Sequence, residues 1–124
     1  MPDPEHFADD LVFDIQHRIA GRVACEQHNC NYLAWAIALA GDGNHLEIGT
    51  LFGGTAILAA LIKRRYHLDG MIYCIDPLDG YYTGTAYACA TDPVSGWPVS
   101  REVLQENLAA FGVDKQVRII QARS

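Results

Sequence analysis

The sequence predicts an α/β fold on a small parallel sheet, and three observations carry that expectation. Apolar stretches of strand length alternate with stretches of helical period. A glycine-rich turn, Gly49-Thr50-Leu51-Phe52-Gly53-Gly54, joins the first strand to an apolar helix. Strands separated by helices pair in parallel through right-handed crossovers, giving half of a doubly wound arrangement.

Phe7, Leu11, Ile15 and Ile19 recur every four residues, which predicts an amphipathic helix over 5–20 ending near Gly21. A second helix is expected over 24–40, with Leu33, Ala36, Ile37 and Ala40 on its apolar face. Gly41-Asp42-Gly43-Asn44 stops it with residues suited to positive φ. His45–Gly49 reads as a short strand. The helix that follows, 54–66, is apolar almost all round and is expected to be buried against the sheet. Asp69-Gly70 turns the chain into a second strand, 71–76. Residues 77–99 form a long loop with three prolines and the aromatics Tyr81, Tyr82, Tyr87 and Trp97. Ser100 is placed to cap a helix over 101–111, with Val103, Leu104, Leu108 and Phe111 inward and Gly112 at its end. Val117–Gln121 is the third strand.

Composition narrows the function classes. The chain has 124 residues, half of them hydrophobic, 19 % charged, with a net charge of −6. One domain is expected, without repeats or low-complexity tracts. Lys63-Arg64-Arg65 is the only basic run, and it reads as a solvated helix end. Neither a nucleic-acid nor a membrane partner is expected, since the first needs clustered Lys and Arg and the second an apolar span of about 20 residues. The acidic, Pro-containing start has no signal-peptide pattern, which points to the cytoplasm. Four cysteines make no disulfide framework. Cys25, His28 and Cys30 do not share one helical face, so no metal site is expected.

The chemistry concentrates at the turn after the first strand, where open α/β sheets bind ligands. Gly49 lets the chain bend sharply, and Gly53 and Gly54 remove side chains. The helix behind them offers free N–H groups to an anion. There is no Gly-Lys-Ser/Thr ending for a phosphate loop, and Glu47 stands where a dinucleotide fingerprint has its first glycine. The spacing Glu47-Ile48-Gly49 through Gly53-Gly54-Thr55 instead resembles motif I of class I S-adenosylmethionine-dependent methyltransferases, closest to a bacterial small-molecule and O-methyltransferase branch. Asp76, at the tip of the second strand, is where that class carries a ribose-binding acid. Glu106-Asn107-Leu108 through Gly112-Val113-Asp114 resembles its next helix and turn. The likeness covers about 44–124.

The resemblance implies a Rossmann-like three-layer sandwich cut to three parallel strands in the order 3-2-1, with two N-terminal helices, forming a single incomplete domain without strands four to seven. It implies S-adenosylmethionine as cofactor and a small-molecule methyl acceptor. Gly49 and Gly53 would line the methionine part, with Thr50 in the same turn. Thr55 would bond the carboxylate, though a helix-capping hydroxyl is the simpler role. Glu47 would fix the loop and reach the amino group. Asp76 would hold the ribose, unless it only starts a turn before Pro77, with Asp79 as runner-up; Leu78 would pack on adenine. Tyr81 and Tyr82 are candidates for a substrate wall, against simple loop packing. Arg123 stands where relatives carry an acid near adenine, and the segments that bring catalytic groups are missing, so the catalytic residues are unassigned. The alternatives are an inactive cofactor-binding module and a structural remnant that dimerises. A homodimer through the exposed edge of the first strand is expected.

Overall fold

A computed structural model describes residues 3–78 and 91–122. The elements run α1 (Asp9–Arg18), α2 (Gln27–Ala40), β1 (His45–Ile48), α3 (Gly54–Arg65), β2 (Ile72–Asp76), α4 (Arg101–Ala110) and β3 (Val117–Gln121). The three strands are parallel in the order β1-β2-β3, with His45 beside Ile72 and Ile72 beside Val117. Among the described residues this is the α/β arrangement the sequence predicts.

The first helix departs from expectation. Instead of one helix from residue 5, a 3-10 turn at Pro4–His6 precedes α1. Asp3 accepts from the Glu5 amide at 3.0 Å and Pro4 presets the turn. The chain then breaks because the Ala8 amide donates to Asn31 Oδ1 at 2.8 Å, a buried partner from α2. Ser100 caps α4 as expected, its Oγ accepting from the Val103 amide at 3.1 Å.

In α3, Gly54, Ala56 through Ala60 and Ile62 are buried, which is why its apolar run lacks a polar stripe. The basic run at its end is a correction. Lys63 is buried, not solvated, and its Nζ donates to the carbonyls of Gly43 (2.8 Å), Gly41 (3.3 Å) and Asp69 (3.3 Å). Arg64 donates to Gly112 O at 2.7 Å, and Arg65 pairs with Asp10 at 2.5 Å. The run ties the end of α3 to the surrounding loops and to α1.

The helices cover one face of the sheet. That face carries His45 and Glu47, Ile72, Cys74 and Asp76, and Val117 and Ile119. The opposite face carries Leu46 and Ile48, Tyr73 and Ile75, and Arg118 and Ile120. Leu46 is 58 % exposed and Ile48 63 %, which is unusual for a parallel sheet. Cys25, Cys30 and Cys74 are free thiols. No described helix is long and apolar enough to cross a membrane.

Candidate functional site

The three strands end together, and the bend after β1 sits at their carboxyl ends. Gly49 has φ +81° and donates its amide to Ile75 O at 2.8 Å. Among the described residues, none comes within 4 Å of where a side chain at Gly49 would stand. Leu51, at φ +54°, turns the chain back in a left-handed conformation rare for a leucine. Gly53, at φ +91°, donates to Thr50 O at 2.8 Å and then accepts from the Ile57 amide, which starts α3.

Asp76 closes the bend from β2. One carboxylate oxygen accepts from the amides of Thr50 (2.7 Å) and Leu51 (3.0 Å), and the other from the Leu78 amide (2.7 Å). The side chain points into the bend and is nearly sealed, at 2 % exposure. A carboxylate offers about four lone-pair sites, and three already hold backbone donors.

Glu47 and Thr55 face each other across the base of the bend. The Thr55 hydroxyl donates to Glu47 Oε1. Glu47 Oε2 is buried with no partner among the described residues. Burial pushes the Glu47 carboxyl up to about 7, the Thr55 hydrogen bond works against this, and the charge of Asp76 adds to it. Burial pushes the Cys74 thiol up to about 12, so it is inert at neutral pH.

Glu47, Gly49, Thr50, Thr55 and Asp76 therefore meet at one place, as the motif spacing implies. Gly53 has a different reason to be glycine: a Cβ there would lie 2.6 Å from Leu104 Cδ1, so its bare backbone admits α4. Gly54 is similarly covered by Val23. Leu78 is fully buried, with φ +50°. Asp79, Tyr81 and Tyr82 lie outside the described residues, as does Arg123.

Two residues to which the sequence reading gives no role in the site also belong here. Asn107, buried in α4, reaches both the bend and the segment 19–26. Arg22, in that segment, makes a two-pronged contact with buried Asp92 at 2.8 and 3.1 Å, and Ser95 donates to the same carboxylate.

No family model matches the chain, and no curated protein matches it. Solved structures do. Cofactor-bound Rv0187 from MTB superposes with TM-score 0.50 and 22 % identity over 96 % of this chain and 44 % of its own. A candidate O-methyltransferase from Klebsiella pneumoniae superposes with TM-score 0.52 and 24 % identity over 97 % of this chain and 44 % of its own. The chain shares its α/β fold with both structures. It spans less than half the length of either structure.

Within that fold, the bend between β1 and α3 and the acid at the end of β2 occupy the mouth of the sheet.

Proposed function

We propose that this chain is the cofactor-binding portion of an S-adenosylmethionine-dependent methyltransferase acting on a small molecule in the cytoplasm. One observation carries the reading: among the described residues, a buried carboxylate oxygen, Glu47 Oε2, has no donor beside a bend whose Gly49 leaves open space. A buried acceptor without a partner costs about 1–3 kcal/mol, and a site that needs a cationic donor explains why it is kept. The ammonium group of an amino-acid-bearing adenosine fits that need. The fourth lone-pair site of Asp76 suits a ribose hydroxyl. Gly49 and Thr50 would lie along the methionine part, and Thr55 would stay on Glu47, holding it for the ammonium.

S-adenosylmethionine, when bound, supplies a methyl group on a positively charged sulfur. The residues of this chain would hold the donor in one orientation, which is much of what such a transfer requires. Isothermal titration with S-adenosylhomocysteine tests this, because it shares the amino-acid and ribose parts. Saturable heat with one site supports the reading. No heat and no thermal shift at millimolar ligand refutes it.

A second reading has its own support. The three backbone donors on Asp76 make it a structural clasp in its own right, as expected of a remnant that keeps the fold without a cofactor. An Asp76→Asn variant separates the two. A ribose role weakens ligand binding beyond what the thermal shift of the free protein accounts for. The proposal also includes a second copy of the chain paired along β1.

A further inference from the structure

We propose that Asn107 is a positioning residue that sets the shape of the Gly49–Gly54 bend from outside it. Its side chain is buried at 4 % exposure. Nδ2 donates to Ala20 O and to Phe52 O, each at 3.0 Å, and Oδ1 accepts from the Ala20 amide at 3.0 Å. Both of its N–H donors are thus committed, and one acceptor position as well.

The three contacts join three separate pieces of chain. The segment after α1 turns extended at Ile19, so the Ala20 amide and carbonyl have no helical partner, and Asn107 takes both. That segment forms a wall of the bend. Gly21 lies flat on the Phe52 ring, where any Cβ would fall 2.5 Å from ring carbons. Val23 lies over Gly54, with a would-be Cβ 2.9 Å from its Cγ2. Phe52 is the residue before Gly53, whose carbonyl accepts the first bond of α3. Asn107 therefore fixes the direction of the peptide at which the bend becomes a helix, and the wall that presses on it.

The placement gives Asn107 a functional consequence only if the bend holds a ligand, so this part rests on the proposed cofactor site. Its effect on bend geometry stands independently, and the experiment keeps the two apart. Asn107→Asp retains an acceptor for the Ala20 amide and replaces the two donors with a carboxylate oxygen. Val113→Ala, a buried position before β3 at the opposite end of the sheet, serves as a control for general destabilisation. Hydrogen exchange and S-adenosylhomocysteine titration are measured on both variants and the parent.

The expected result is that amides of residues 20–22 and 50–54 exchange about tenfold faster in Asn107→Asp than in Val113→Ala, while strand amides change alike. Ligand affinity should fall by about tenfold in Asn107→Asp relative to the control. Equal exchange at 50–54 in the two variants overturns the inference. If Asn107→Asp does not fold, Asn107→Ser, which keeps one donor and one acceptor, carries the same comparison. A parent that binds no S-adenosylhomocysteine sinks the cofactor reading, and the exchange data alone then decide whether Asn107 positions the bend.

Discussion

Thr55 donates its hydroxyl to one oxygen of Glu47 while the other oxygen of that carboxylate is buried without a donor among the described residues. The pair is half-satisfied, and it sits where an open α/β sheet binds its ligand. Such a group weakens the free protein, and the proposed ligand would supply the donor it lacks.

The contribution of Glu47 to stability should therefore fall as the pH rises from about 4.5 to about 7. The folded state keeps the Glu47 proton, pushed up to about 7, over a range in which the unfolded chain releases it. The unfolded state binds fewer protons there, so unfolding becomes easier with each step in pH. The effect is on the order of 2–3 kcal/mol across the window. Glu47→Gln should flatten that slope and raise the melting temperature of the free protein at pH 7.5. The same variant should bind S-adenosylhomocysteine at least tenfold more weakly. Denaturant melts from pH 4.5 to 8 and calorimetry check both halves. A variant less stable than the parent at pH 7.5 would contradict the assignment.

Asp92 behaves oppositely. Arg22 first, then Ser95, holds its carboxyl well below the ordinary carboxylate range, against a burial effect that would raise it. Its contribution is in place above the unfolded value near 4 and is lost as the pH falls toward the depressed folded value. Asp92→Asn should cost about 2 kcal/mol at pH 7 by urea melting, because it removes the charge that anchors the Arg22 segment. The acid-side loss should shrink in the variant. An unchanged profile below pH 4 would show that the contact adds nothing.

Much of the fold was legible because each element has its own punctuation. The Gly41–Asn44 stop, the Asp69-Gly70 turn, the Ser100 cap and Gly112 bracket segments whose apolar period is clear. The gathering of Glu47, Gly49, Thr55 and Asp76 is what the family resemblance of the motif implies. What escaped were polar side chains acting over long sequence distances. Asn31 and Asn107 both lie in phase with the buried stripes of their helices, Asn107 between Leu104 and Leu108. That phase was visible, and a poor helix former on an apolar face signals a buried partner. Which backbone it would meet was not visible, because the pairing of Asn107 with Phe52 depends on tertiary approach. Lys63 escaped for a similar reason. Its charge suggested solvent, whereas three loop carbonyls converge on it.

Lys63→Met gives that point a measurement. The methionine fills the stem's volume but leaves the Gly41, Gly43 and Asp69 carbonyls without their shared donor. A loss of about 2–3 kcal/mol is expected by urea melting at pH 7, together with faster hydrogen exchange at 41–44 and 69–71. If the basic run were a solvated patch, the change would fall within about 0.5 kcal/mol.

The proposed second copy along β1 makes the last prediction. The amides of His45 and Gly49 point to β2, donating to Met71 O and Ile75 O. By alternation, Leu46 and Ile48 turn their N–H and C=O groups to the open edge, and both side chains are exposed. Antiparallel self-pairing about Leu46 would set Leu46 against Leu46 of the partner subunit, and Glu47 against the partner's His45. Centring on Glu47 instead would set two Glu47 residues directly opposite, their Cα atoms about 4.5 Å apart, and like charges so placed disfavour that register. The complementary register predicts a dimer at micromolar concentration by sedimentation. Leu46→Lys and Ile48→Glu, which charge the edge without entering the core, should each return it to monomer. A parent that sediments as a monomer at 100-fold higher concentration would mean that this edge is not covered by a second copy.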